Sequence, residues 1–476
     1  MSSMNRGGYR ERIGELCFWA VKAFRARPLL WLGIAFLLVL TVLSPFLWRT
    51  LSPRNVVEVA YFRRLAGDRS YVDFSGSAIP GAIFPSPFEG DNPPFLLYTN
   101  WLALIGPDGV VRREYRRGSS SLILAPGRAF LDDGKGKKVL VFGPDGALSG
   151  EIPYGDVIAT LAGMELSRNG RFLLMWGKTS PELMRREGGM GGSWETFLLY
   201  DVLEGKVVGR ESIPSQDSPV ALAMGDEGEV ALAFPLREEP DPERGVAKRK
   251  YGGWVRVGTL TPRGFSPRFE KETRAAVERL ALGGGILLVL QSAEVRRGRD
   301  VGERKELWLH DLASGEERLL LSSFATEEQS RLLGDAVEKG VDPTPYRGIA
   351  VKGMALIPDD GEGRLALVSF SPAGEVVPRT VAFSVGGKGV ERKWGVPGEI
   401  PRSPRFFGPG WLALLRSGFL VVVDSGTGDA VGFSERKGYG DAFAWGPWLV
   451  GVDGKAGAID LYSLRSLLVK KMKAKG

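Results

Sequence analysis

The 476-residue chain holds a single histidine, His310, and a single cysteine, Cys17, so any chemistry that needs imidazole or thiolate must pass through one of them. Imidazole is the side chain whose ordinary charge change falls near neutral pH, which makes His310 the first candidate for a general base. Ser-His-Asp hydrolysis would depend on it entirely. A zinc site draws on several histidine or cysteine ligands, and this chain has too few of either. No G-x-x-x-x-G-K-[ST] phosphate loop occurs, and the glycines of "LALGGGILL" (Leu280 to Leu288) separate two apolar runs, as in a hairpin turn, instead of opening a helix. Carboxylates are left. An acidic pair gathered from distant segments into one pocket would support glycoside hydrolysis, an alternative that the sequence keeps open.

The elements around these residues decide their roles. His310 lies in "KELWLHDLASGEERLLL", an apolar run, a turn opened by aspartate, and a second apolar run. The same order returns in "WLALIGPDGVVRREYR", "VLVFGPDGALSGEIPY", "FLLYDVLEGKVVGRESI", "FLVVVDSGTGDAVGFSE" and "AIDLYSLRSLLVKK". In that alignment His310 takes the place of tyrosine in "LLYDV" and of valine in "VVVDS", which assigns it to a strand and not to an active site. Asp201, Asp311, Asp424 and Asp460 recur just after it, where an aspartate side chain can close a turn.

Each hairpin follows another strand pair, such as "ATLAGMELSRNGRFLLMW" or "ERLALGGGILLVL". Four short strands per unit, repeated, predict an all-β propeller, because such units cannot cover both faces alone and do so by stacking around an axis. Blades parse at 70–117, 120–154, 157–213, 218–272, 275–323, 348–395, 402–435 and 439–472, which favours eight blades over seven. The innermost strand of the first blade must come from the Pro-rich stretch 70–94. "VVEVAYF" (Val56 to Phe62) is placed to complete the last blade beside the C-terminal strands and close the ring.

The strand-Asp-x-x-(Ser/Thr)-Gly-strand pattern, clearest in "LHDLASGEERLLL" and "VVDSGTGDAVGF", resembles the broad propeller class that includes quinoprotein-like and WD40-like repeat proteins of bacterial envelopes. The resemblance covers most of residues 95–470 and implies the fold, while many functions share the pattern. The Trp-Asp blade ending and its preceding Gly-His pair are absent. Quinone-dependent members of that class use a vicinal cysteine pair, which this chain lacks, so no cofactor and no metal is expected.

Ahead of the repeats, "PLLWLGIAFLLVLTVLSPFLW" (28–48) carries no charge and ends in tryptophans. About twenty helical residues cover the roughly 30 Å of bilayer hydrocarbon, which predicts one transmembrane helix. No A-x-A-like cleavage site follows, so the segment reads as a retained anchor. Residues 1–27 read as a basic segment, amphipathic over Ile13 to Phe24, lying on the inner membrane surface or extending the anchor, with Cys17 an inert thiol. Residues 49–69 form a linker with the ring-closing strand, 70–472 the propeller, and 473–476 a basic tail. Arginines before the span and the lack of cysteine after it favour a cytoplasmic N-terminus with the propeller outside, in the cell envelope. A cytoplasmic propeller is the alternative.

Three successive blades carry long second-to-third-strand insertions, at 177–194, 235–254 and 292–305. Because strands alternate in direction, these insertions emerge at one face. A helix is predicted beside them, with Thr326 and Gln329 as a capping box and Gly340 as its stop. Arg185, Arg186, Arg244, Lys248, Arg249, Lys250, Arg296, Arg297 and Arg299 crowd the insertions, with Trp194, Tyr251 and Trp254 at their bases. Arginine and aromatic residues on long loops mark partner surfaces, so these twelve are the candidate binding residues of a non-enzymatic scaffold for a protein partner in the envelope. A carbohydrate-binding or glycan-hydrolysing propeller using its central channel is the second reading. The net charge of +7 sits largely in the N-terminal tail and in "VKKMKAKG", and no groove-reading or stacking module for nucleic acid is present.

Overall fold

The computed structural model describes residues 60–66 and, with short breaks, 82–463; residues 1–59, 67–81, 188–191, 325–348, 464–476 and most of 236–252 lie outside the described residues. The predicted transmembrane helix (28–48), the basic segment before it, the helix at 326–340 and the basic tail fall among the latter. Among the described residues no helix is long and apolar enough to cross a membrane. The chain divides into two compact units, Met1–Val56 and Val57–Gly476, and the strands among the described residues all belong to the second.

That unit is a β-propeller repeat, with eight four-stranded antiparallel sheets and one two-stranded ribbon among the described residues. The first sheet runs from Ala82–Phe84 to Val111–Tyr115, the second from Leu122–Ala125 to Leu148–Pro153. The third comprises Ile158–Leu166, Phe172–Thr179, Trp194–Asp201 and Lys206–Pro214; the fourth, Ala221–Met224, Glu229–Pro235, Gly253–Thr261 and Gly264–Thr273. The fifth comprises Ala276–Gly283, Ile286–Arg297, Asp300–Asp311 and Glu317–Phe324. The sixth runs from Ile349–Pro358 to Gly389–Pro397 and the seventh from Phe407–Gly408 to Ala430–Lys437. Asp441–Trp445, Trp448–Asp453 and Ala458–Ser463 begin the eighth, and Ala60–Ala66 completes it from the other end of the sequence.

Side-chain alternation explains why the sheets stack. Along the second strand of the fifth sheet, Leu287 and Val289 pack into the core shared with the fourth sheet, whereas Leu288 and Leu290 pack into the core shared with the sixth. In the sixth sheet Ala366 and Val368 face back towards the fifth, and Leu365 and Leu367 face forward to the seventh. Both faces of these middle strands are therefore buried, so the sequence shows continuous apolar runs in place of alternation with polar residues. Strand reversals put every second-to-third link and every sheet-to-sheet link at one end of the sheets, here termed the insertion end. The first-to-second and third-to-fourth turns lie at the opposite end.

Sheets this close leave no room for side chains at some points of contact. A Cβ on Gly209, in the outer strand of the third sheet, would stand 2.3 Å from the carbonyl carbon of Leu260 in the fourth. Backbone cannot rotate aside as a side chain does. Gly209→Ala is therefore expected to cost about 1–3 kcal/mol by forcing the two sheets apart, seen as a lower urea midpoint with an unchanged slope.

Candidate functional site

The three insertions differ in construction. In the third sheet, Ser180 caps the helix Pro181–Arg186, its Oγ accepting from the Leu183 amide at 3.1 Å while Leu183 is buried beneath. Arg185 and Arg186 are exposed on this helix, and Glu182 neutralises them locally, at 2.7 Å for Arg186 and 3.7 Å for Arg185. Trp194 begins the third strand of that sheet opposite Pro214 and is half-buried. In the fourth sheet the insertion folds into a small ribbon, with Lys248 paired to Glu239 and Ala247 to Pro240. Arg244, Arg249, Lys250 and Tyr251 lie outside the described residues, as does Arg299.

The fifth sheet departs from the expected loop. Residues 292–297 continue the second strand and 300–305 the third, so that Arg296 pairs with Val301 and Arg297 with Asp300. The first strand of the sheet ends its pairing at Ser292 and the fourth at Arg304, which leaves a two-stranded arm beyond them. Its base is fixed by polar contacts. The buried Glu306 carboxylate accepts from Gln291 Nε2 at 2.8 Å and from Trp308 Nε1 at 3.0 Å, and it pairs with the Arg304 guanidinium. Beside it Lys305 binds Glu278 and Glu303, and Ser292 donates to Glu303. The hydrogen bonds from Lys305 and Ser292 hold the Glu303 carboxyl below its ordinary pKa.

Trp254, 39% exposed, stands at the base of the fourth sheet's insertion. It pairs with Phe234 on one side and Glu272 on the other, and Val220, 55% exposed, precedes the residue that pairs with Ala233. Val220, Phe234 and Trp254 thus form one cross-strand row at the insertion end, on the face turned to the third sheet. The Arg256 guanidinium lies 5.7 Å from the Phe234 ring centre and pairs with Glu270 at 2.9 Å. Sequence reading finds Trp254 but misses Val220 and Phe234, because only the strand register brings the three together.

His310 is buried in the third strand of the fifth sheet, opposite Leu287 and Glu317, with its ring 5.7 Å from that of Phe269 in the neighbouring sheet. Burial and the nearby Lys271 ammonium push its pKa down to about 4, against a weaker pull from Glu317, so it is neutral at physiological pH. The turn role holds for Asp201, Asp311 and Asp424, whose Oδ1 atoms each accept from two backbone amides of the following turn. It fails for Asp460. That residue is fully buried within the third strand of the eighth sheet and accepts from the Tyr439 hydroxyl at 2.5 Å. Its sequence neighbour Ile459 pairs with Val452, so the local run continues as strand where the alignment places a turn.

On the innermost strands, Glu165 accepts from the Met224 amide of the next sheet at 3.2 Å, and Glu278 is engaged by Lys305. Burial raises the Glu165 carboxyl from an ordinary 4.5 to about 7, a shift that the Met224 bond only partly opposes. A raised folded pKa favours the folded state at low pH, and that stabilisation is lost as pH climbs through about 7. Glu165→Gln keeps an acceptor for Met224 without the charge. It is expected to raise the melting temperature above pH about 7 and to leave it unchanged below about 4.5, a difference that melts across pH will show. Among the described residues no group of three or more His, Cys, Asp and Glu side chains is placed to hold a metal ion.

No protein-family model and no curated protein sequence matches the chain. Solved structures with similar chain traces include BamB from Moraxella catarrhalis, at 11% identity and a TM-score of 0.42 over 85% of this chain and 99% of that one. Sqt1 from Saccharomyces cerevisiae is similar at 9% identity and a TM-score of 0.46, over 86% of this chain and 99% of that one. The β-propeller domain of the Trilobed protease from Pyrococcus furiosus is similar at 12% identity and a TM-score of 0.39, over 75% of this chain and 99% of that one.

Proposed function

We propose that the protein is a membrane-anchored, non-enzymatic scaffold of the cell envelope, an eight-bladed propeller that binds a protein partner at its insertion end. The observation that carries this reading is the alignment of three unlike structures, a capped helix, a ribbon and a stiffened arm, on adjacent sheets at one end. A rigid sheet scaffold that varies only its links on one side concentrates recognition there. The Val220–Phe234–Trp254 row supplies the apolar centre that such a surface needs, and the charged insertions supply its rim. The anchor (28–48) and the exported orientation come from the sequence alone, and protease accessibility of the propeller in intact spheroplasts tests the orientation.

A photo-crosslinking residue placed at Arg185, at Trp254 and at Arg297 is expected to trap the same partner from all three positions, and none at Phe433 on the seventh sheet. Removing residues 237–251 should then lower the recovery of that partner at Trp254. Unchanged recovery, or different partners at each position, overturns the reading.

A further inference from the structure

The N-terminal part of the chain enters the eighth sheet at the end opposite the insertions. In the eighth sheet the third strand, Ala458–Ser463, runs from the second-to-third turn towards that end, and Ala60–Ala66 runs back beside it, with Ala60 opposite Ser463 and Ala66 opposite Ala458. The N-terminal linker therefore arrives where the third-to-fourth turns of the other sheets lie. Residues 49–59 separate Ala60 from the apolar run at 28–48. At roughly 3.6 Å per residue, that linker spans about 40 Å when fully stretched.

Three of the large apolar side chains exposed among the described residues lie at this same end, in two adjacent sheets. Leu203, 66% exposed, sits in the third-to-fourth turn of the third sheet, and Val207, 50% exposed, is the second residue of the strand that leaves it. Leu148, 48% exposed, begins the corresponding strand of the second sheet. None of them is needed to close a turn. In the third sheet that work is done by Asp201, which accepts from the amides of Leu203 and Glu204, and by Gly205 with its positive φ of 65°. Lys206 stands between the two third-sheet apolar residues with its side chain 65% exposed and Glu204 at 3.5 Å.

We propose that the third-to-fourth-turn end of the second and third sheets rests on the lipid surface, with Leu148, Leu203 and Val207 entering the headgroup region and Lys206 meeting lipid phosphate. Aliphatic tips beside a lysine suit that boundary, where an apolar body is buried and a cationic head stays with the phosphates. A bilayer is favoured over a soluble partner because the linker ties this end to within about 40 Å of the apolar run. The inference rests on reading 28–48 as a membrane span. It also directs the insertion end away from the bilayer, towards a partner free in the compartment.

The test uses the full-length protein carrying Cys17→Ser, reconstituted in phosphatidylcholine–phosphatidylglycerol vesicles. A fluorophore on Leu203→Cys is expected to lose most of its emission to lipids bearing a headgroup nitroxide, while one on Trp254→Cys keeps its emission. With the fluorophore on Leu148→Cys, adding Lys206→Glu and Val207→Asp should relieve the quenching without changing resistance to carbonate extraction. Carbonate extraction reports the anchor separately. Protein released by carbonate refutes the span and this inference with it. Protein that resists carbonate, yet quenches positions 203 and 254 alike or neither, overturns the lipid-facing end while the anchor stands.

Discussion

Replacing Ala60–Ala66 by a Gly-Ser segment of equal length is expected to lower the stability of the propeller by about 5 kcal/mol or more and to broaden its unfolding transition. Six residues of this strand pair with Ala458–Ser463 around a bulge between Tyr61 and Arg63, and at about 1 kcal/mol net per ladder bond the loss of the pairing alone approaches that figure. The strand comes from one end of the sequence and its partner from the other, so the pairing ties the eighth sheet across the whole length of the propeller chain. Without it, Ala458–Ser463 becomes an exposed edge, and Tyr462, fully buried beside Tyr439, loses the strand that covers it. Urea denaturation followed by tryptophan fluorescence checks the magnitude. Limited proteolysis checks the location, since cleavage should begin in the eighth sheet. An unchanged midpoint would mean that the sheets are held without this closure.

The repeat was legible because every hairpin carries the same local chemistry: apolar runs bury both faces, and aspartate or glycine closes the turns. Asp201, Asp311 and Asp424 do at close range what their positions imply. The burial of His310 also followed from the alignment, since its equivalents are side chains of unrelated chemistry. Asp460 misled because sequence shows the residue but not the strand length, and here the strand runs on past it. The ring-closing strand, expected over Val56 to Phe62, is observed over Ala60–Ala66, four residues beyond the expected end, while residues 56–59 lie outside the described residues; the alternating pattern of "VVEVAYFRRLA" does not mark that end. The candidate site was the least legible part. Composition marks the insertions, but a loop and a continued strand use the same residues in 292–305, and the Val220–Phe234–Trp254 row exists only through pairing between strands that the sequence separates. Cross-strand register is long-range information, and a single sequence does not contain it in readable form.

Glu306→Ala is expected to cost about 3–5 kcal/mol, as removal of one member of a buried ion pair commonly does. The carboxylate is 2% exposed and serves three donors at once, from Gln291, Trp308 and Arg304. Without it, Gln291 Nε2 loses its acceptor inside the sheet. The Arg304 guanidinium, whose Nε is already buried without a partner, loses its counter-charge. Removing both charges with Arg304→Met and Glu306→Leu should cost less than the sum of the single changes, because no unpaired ion then stays behind. The effect reaches function through position. Arg297 at the arm's tip is carried by the strand that Gln291 and Glu306 lock at its base, so hydrogen exchange of amides 293–304 should rise in Glu306→Ala while the sixth and seventh sheets stay protected. Partner trapping at Arg297 should fall with it, although no residue of the arm's tip has changed. If exchange in the arm rises and trapping at Arg297 does not fall, the stiffness of the arm is not what holds the partner, and binding rests on the Trp254 row.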